Sequence, residues 1–280
     1  MNQFQRTTKY IAITFAIILA IGIITAVTGL ILNVISAIIG VPLLGNRNRI
    51  DVAYDFTGVV SLVVDNSAGS LEVKTGEGFR VEGKDVMEGF QAELTEDGTL
   101  VVSETNQQSF LWFHFDWLGS TNSKITVYLP EDFVAEKASF DTGLGNTVLE
   151  DIKAEELTIS TGLGNFKGDR IAAEKVLLDG GLGSIELTDV RLEDAEIDCG
   201  IGSLRIEGEL LGYQRIDGGI GNVRLELAGN REDYHLELDA GIGAVRVNGK
   251  KLSGTYTSEG AQNSLKVDGG LGGVTIDFHN

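Results

Sequence analysis

The chain has 280 residues, among them 37 glycines, 2 prolines and one cysteine, and a formal net charge of −19. Glycine this frequent, without a collagen period, points to many tight turns, and the single thiol, Cys199, excludes an internal disulfide and a cysteine metal cluster. Residues 1–50 hold Arg6, Lys9, Arg47 and Arg49 and no acid, so the remainder sets 41 acids against 18 bases, a net of −23 that argues against nucleic acid and anionic headgroups as its partners.

The first predicted element is a membrane anchor. From Ile11 to Ile31 every residue is apolar, Gly or Thr, and the apolar character continues past Asn33 and Ser36 to Leu44. About 20 such residues span a bilayer as a helix, whereas the apolar core of a cleaved signal peptide is only ~7–15 residues long. Residues 1–50 are therefore expected to be a cytoplasmic stub and single-pass signal anchor, with the acidic remainder outside the cytoplasm. The cations flanking the run are nearly balanced, so this orientation rests on the exported character of residues 51–280, which are acidic, repetitive and poor in cysteine.

Residues 51–135 read as an irregular β region. It contains the segment Phe110-Leu-Trp-Phe-His-Phe-Asp-Trp-Leu118 with both tryptophans, Trp112 and Trp117. Two roles suit it: a plug over the open end of a repeat array, or a ligand or membrane-surface contact.

Residues 136–280 carry a repeat. Gly-Leu/Ile-Gly recurs at Gly143, Gly162, Gly181, Gly200 and Gly219 with a period of 19 residues, then at Gly241 after 22. A degenerate Gly260-Ala261-Gln262 follows after 19, a final Gly270-Leu271-Gly272 after only 10, and an outlying copy sits at Asp65–Val73. A fixed period near 20 marks a solenoid. Between the glycines, Leu157/Ile159, Ala195/Ile197, Leu204/Ile206 and Val223/Leu225/Leu227 alternate with the period of strands. The expected fold is all-β, a parallel β-solenoid of ~19-residue coils stacked ~4.8 Å apart, preceded by one transmembrane helix.

Aligning the coils gives four columns. The first is Asp141, Ser160, Asp179, Asp198, Asp217, Asp239 and Glu259. Such residues cap turns, and Asp179, Asp198, Asp217 and Asp239 are also candidate ligands for calcium, though one carboxylate per coil is thin coordination. The next, Thr142, Thr161, Gly180, Cys199, Gly218, Ala240 and Gly260, is small and expected inward, flanked by inward Ile197-type and Ile201-type positions. Cys199 then reads as buried filler. A largely basic column runs Val148, Lys167, Glu186, Arg205, Arg224, Arg246 and Lys266, with Glu150, Asp169, Thr188, Glu207, Glu226 and Asn248 two residues along. It reads as a ladder of cross-strand ion pairs, or as a stripe (Arg205, Arg224, Arg246, Lys266) for an anionic cell-wall polymer. The glycines do not make a phosphate loop, since no helix follows Gly162-Leu163-Gly164. His114, His235 and His279 are scattered, and no catalytic set can be assembled from the sequence.

Ile125-Thr-Val-Tyr-Leu-Pro130, Phe140-Asp-Thr-Gly-Leu-Gly145 and coils of the type Asp179-Gly-Gly-Leu-Gly-Ser184 resemble the bacterial candidate-adhesin family of unknown function, which includes LiaG-like envelope proteins. The resemblance covers about residues 55–280 of the chain. It implies a β-helix on the cell envelope, a place near envelope-stress signalling, and no catalytic residues to carry over. The expected function is a non-enzymatic, membrane-tethered extracytoplasmic binding or structural module, held by its N-terminal helix and partnered by a wall polymer or another envelope protein. A polysaccharide-active enzyme is the alternative.

Overall fold

The structure, a computed structural model, describes residues 49–104, 122–239, 241–252, 256–258 and 262–279. The expected anchor helix, Trp112, Trp117, Ala240, Glu259 and Gly260 lie outside them. Among the described residues no helix is long and apolar enough to cross a membrane. The helical content there is one 3-10 turn, Arg231–Asp233.

Strands make up the rest. In chain order they are β1 Arg49–Phe56, β2 Ser61–Ala68, β3 Ser70–Gly76, β4 Phe79–Met87, β5 Gln91–Leu94, β6 Thr99–Ser103 and β7 Lys124–Pro130. Then come β8 Ala135–Leu144, β9 Thr147–Glu150, β10 Lys153–Leu163, β11 Phe166–Asp169, β12 Ala172–Leu182, β13 Ile185–Asp198 and β14 Leu204–Asp217. The last are β15 Val223–Ala228, β16 Tyr234–Asp239, β17 Val245–Val247, β18 Lys250–Leu252, β19 Tyr256–Ser258, β20 Asn263–Asp268 and β21 Val274–His279.

A rung is a pair of strands on opposite walls, and successive rungs pair in parallel. One wall stacks β8, β10, β12, the second half of β13 and the second half of β14. The other stacks β9, β11 and the first halves of β13 and β14, then β15. Alternation sends every second side chain into a single core between the walls. One inward column reads Val64, Phe140, Ile159, Leu178, Ile197, Ile216, Val267 and Leu238, all buried. Each such side chain contributes ~1.5–3 kcal/mol by leaving water. The regular stack also reaches into 51–135: β2/β3 pair with β8/β9, and β6/β7 pair with β2/β3.

Spatial order departs from chain order at both ends. At one end β6/β7 lie outside β2/β3, although they follow them in sequence. At the other, β20/β21 lie against β14/β15, and β16/β17 lie outside β20/β21. This corrects the expected alignment. Asp268, not Glu259, stands in the Asp column, between Asp217 and Asp239. The chain between β17 and β20 makes no coil, which is why Gly270 breaks the 19-residue spacing. Instead β18 returns antiparallel on β17 and β19 antiparallel on β16. The opposite end is covered the same way, by β4 and β1 beyond β7 and by β5 beyond β6, all antiparallel. Parallel edges that would otherwise template another chain are thus paired off.

The Gly-x-Gly corner is built from backbone. A Cβ on Gly164 would lie 1.8 Å from Gly145 O, on Gly202 1.6 Å from Gly183 O, and on Gly221 1.5 Å from Gly202 O. No side chain fits, so glycine is required. Meanwhile Gly183 N–H donates to Ile201 O at 3.0 Å and Gly202 N–H to Ile220 O at 2.9 Å, carrying the ladder round the bend.

The small column points inward as expected: Thr142, Gly180, Cys199 and Gly218 are buried. The Ile201-type residues do not. Leu163, Leu182, Ile201, Ile220 and Leu271 are 43–49% exposed and Ile242 is 70% exposed. At Gly200 and Gly219 a left-handed φ of 57° and 52° breaks the alternation one residue before Ile201 and Ile220, whereas Leu163 and Leu182 are exposed at the ends of β10 and β12 after glycines that are not left-handed.

Burial pushes the Cys199 thiol up to about 12, with Asp198 and Asp217 adding to it. We expect Cys199 to resist thiol reagents in the native chain and to react once denatured; rapid native modification would refute the inward column. Cys199→Leu should overpack the column at a cost of ~1–3 kcal/mol, and Cys199→Ala should be milder. Gly202→Ala should cost ~3 kcal/mol or more in urea unfolding. Gly249→Ala, at a left-handed φ of 73° with nothing within 4 Å of the added carbon, should cost only about 1–2 kcal/mol. Equal losses would mean that the inter-rung contact is not what demands glycine.

Candidate functional site

The structure sorts the sequence-derived site residues into paired charges, turn caps and an exposed corner. Of the basic column, Arg205 and Arg224 lie side by side on β14 and β15. Arg224 Nε donates to Glu226 Oε1 at 2.8 Å, and Arg205 Nη2 lies 3.3 Å from Glu226 and 3.4 Å from Glu207. The Arg224 hydrogen bond holds the Glu226 carboxyl below its usual range. Next in the column is Thr275 of β21, and only then Arg246 of β17. Lys266 is not in this line. It sits on the other wall, opposite Arg215 and Glu237, with its Nζ 2.6 Å from Glu237 Oε1. The sequence alignment misplaced it because the chain skips a rung and returns.

In the acidic column, Asp198, Asp217, Asp239 and Asp268 each turn one oxygen onto the backbone N–H two residues on, at Gly200, Gly219, Gly241 and Gly270, at 2.9–3.0 Å. These Asp caps hold the left-handed glycines that follow. Asp179 instead precedes backbone that stays in strand β12 through Leu182. Among the described residues no group of three or more His, Cys, Asp or Glu side chains is arranged to hold a metal ion.

Similar pairing recurs along the stack. Glu72 lies 2.6 Å from Lys124 and 3.3 Å from Lys74, and Asp151 accepts from Arg170 Nε at 2.6 Å. These partners lower the Glu72 and Asp151 carboxyls. Depressed folded-state values contribute stability above the ordinary carboxylate range, and that contribution is lost as pH falls through the folded values.

What the sequence reading missed is the corner itself. Leu163, Leu182, Ile201, Ile220 and Leu271 follow one another from rung to rung, bridged backbone to backbone. Ile242 extends the line, its N–H donating to Gly270 O at 2.8 Å. The result is a ridge of aliphatic side chains at one residue per rung, ~4.8 Å apart, flanked on both sides by glycines that offer no side chain to shield it. The signal was present in the strict Leu/Ile between the glycines, but period-2 alternation assigned it inward.

The described chain stops beside this same corner and resumes there. Ser103 pairs with Asp65 and Lys124 with Ser70. Trp112 and Trp117 come between in the sequence, outside the described residues.

Comparison with known proteins bears on the whole stack. Curated proteins give no match. Among solved structures, a candidate cell adhesion protein from Clostridium sporogenes is 17% identical, with 83% of this chain and 100% of that one covered and a TM-score of 0.41. A candidate adhesin from Bacteroides fragilis is 14% identical over 83% of this chain and 97% of that one, with a TM-score of 0.42. One from Parabacteroides merdae is 12% identical over 84% and 98%, with a TM-score of 0.29. The family model Toastrack DUF4097 matches residues 59–267, a span that runs from just before β2 into β20 and takes in most of both walls and of the glycine corner, and the chain belongs to the Toastrack DUF4097 family.

Proposed function

We propose that the protein is a non-catalytic, membrane-tethered binding module of the bacterial cell envelope, whose β-stack stands outside the cytoplasm and engages another envelope protein along the Leu/Ile ridge. The exposed ridge carries this reading. An aliphatic side chain at the surface of one rung is ordinary, but the same exposure at consecutive rungs makes a contiguous apolar line, and such lines mark contact surfaces. A rigid apolar ridge suits the apolar surface of a protein better than a hydroxyl-rich or phosphate-rich polymer. The candidate-adhesin names of the structural neighbours are compatible with such a role, and the apolar run at residues 11–44 supports the tether.

The chain should stay with membranes through a high-salt wash, because an apolar span holds far more tightly than surface charge. Protease added to intact protoplasts should digest the β-stack. Protection until lysis would reverse the orientation. Replacing Leu182, Ile201 and Ile220 together by Ser should leave the circular dichroism unchanged and abolish crosslinking to neighbouring envelope proteins; undiminished crosslinking would sink the ridge as contact surface.

The arginines are expected to contribute little to binding. In titrations of the full chain with anionic wall polymer, Arg205→Gln, Arg224→Gln, Arg246→Gln should change neither the weak signal nor the fold, each exposed pair being worth ~0–1 kcal/mol. A salt-sensitive affinity lost in the triple variant would make the column a polyanion site instead.

A further inference from the structure

The outer face of the wall containing β10, β12, β13 and β14 is mostly charged or polar, with two large exposed hydrophobic side chains. Leu177 of β12 is 50% exposed and Tyr213 of β14 is 52% exposed. Between them lies a surface concavity of about 470 Å³, bordered also by Glu156, Lys175, Asp194 and Glu196.

Tyr213 is held outward by a specific backbone device. Glu193 pairs with Leu211 and Ala195 with Gln214, so Gly212 and Tyr213 together face the single residue Asp194. This is a β-bulge with glycine in its left-handed first position, at φ 67°. A Cβ there would sit 2.4 Å from Asp194 Oδ1. Asp194 is itself left-handed at φ 48°, and its Oδ1 accepts the Tyr213 N–H at 2.7 Å. Gly212 N–H donates to Asn263 Oδ1 at 2.9 Å. Two left-handed residues and two side-chain caps thus fix one exposed aromatic ring, and bulges that re-aim a side chain gather at binding sites.

The rim is also fixed. Lys175 Nζ lies 3.6 Å from Glu156 Oε1, whose other oxygen is 2.9 Å from Lys137. Glu196 Oε1 lies 3.5 Å from Arg215 Nε. The concavity therefore offers two apolar platforms and a border of carboxylates with one ammonium.

We propose that this concavity binds an uncharged saccharide chain. A pyranose ring has an apolar C–H face for Tyr213 and Leu177 and a hydroxyl edge for Glu156, Asp194, Glu196 and Lys175. A purely apolar ligand would strip water from the carboxylates without replacing it, and a polyanion would face three of them. Leu177 aligns with Glu196 and Arg215 on the next two rungs, so Tyr213 stands two rungs away and two residues back along the strand, ~12 Å on the diagonal at ~4.8 Å per rung and ~3.3 Å per residue, a span of a few pyranose rings of an extended β-linked glycan. Such a chain crossing the wall on this diagonal lays its rings on both platforms. This surface is separate from the Leu/Ile ridge, and the inference does not depend on the ridge having a partner.

The test is calorimetric titration of the full chain, in a detergent without a sugar headgroup, with cellotetraose and with chitotetraose. At least one should bind. Tyr213→Ala should weaken that binding about tenfold or more while Tyr213→Phe keeps it, and Leu177→Asn should weaken it as well. Tyr54→Ala, an exposed tyrosine on β1, serves as control and should change nothing. Absence of binding for both glycans by a folded chain overturns the proposal. So does binding that Tyr213→Ala leaves intact, or binding of a neutral tetrapeptide that equals the glycans and is lost in the same variants. Glycan binding that survives loss of the ridge partner, or fails while the ridge partner is retained, separates this site from the ridge.

Discussion

Where a corner glycine would carry a Cβ, a carbonyl oxygen of the adjoining rung already sits. That contact, 1.5–2.4 Å from the absent carbon along the two glycine columns, fixes how closely rungs approach at the bend. Because backbone meets backbone there, hydrogen bonding continues round the corner, and the two walls behave as one folded ribbon with a single core. The same contact explains the ridge. Two glycines in three residues leave the intervening side chain no direction but outward, and no neighbour to lie against except its counterpart one rung away.

Much of this was legible in the sequence. The 19-residue spacing of Gly143 through Gly219 and the alternation of Leu204/Ile206 and Ala195/Ile197 gave the parallel stack. The smallness of Thr142, Gly180 and Cys199 gave the narrow interior. Two features were not legible, for different physical reasons. The outward turn of the corner residues has no conformational signature in the sequence: Ile201 follows a left-handed glycine and Leu182 does not, yet both are exposed. The place of Lys266 depends on pairing between segments whose order in space is not their order in the chain. Local periodicity reports how a segment folds, but not which segment it lies beside. Nor did the Tyr213 bulge have a signature: one extra residue against Asp194 leaves the 19-residue spacing of Asp198 and Asp217 untouched, because Thr188 and Asp189 facing Glu207 offset it.

The charges follow the rungs. A domain at net −23 should repel itself, and a column of aspartates stacked at rung spacing concentrates that repulsion. The structure answers locally. Asp198, Asp217, Asp239 and Asp268 turn an oxygen to a backbone N–H, while Glu226, Glu72 and Asp151 sit against cations from adjoining strands. Since the register of the walls sets which residues become neighbours, the same alignment that fills the core also brings these opposite charges together.

The interleaving of β20/β21 separates the order of layers from the order of the chain. Residues 263–279 are the last described stretch of chain, yet they are not the last layer of the stack; they lie between β14/β15 and β16/β17. A polypeptide stopped at residue 262 would lack its penultimate storey rather than its top one, and β16 and β17, already made, would have no parallel neighbour to rest on. During synthesis the outermost layer therefore waits for the segment that comes after it. The stack closes like a drawer slid home beneath its own lid, and residues 263–279 act as the keystone of this end of the stack rather than its fringe.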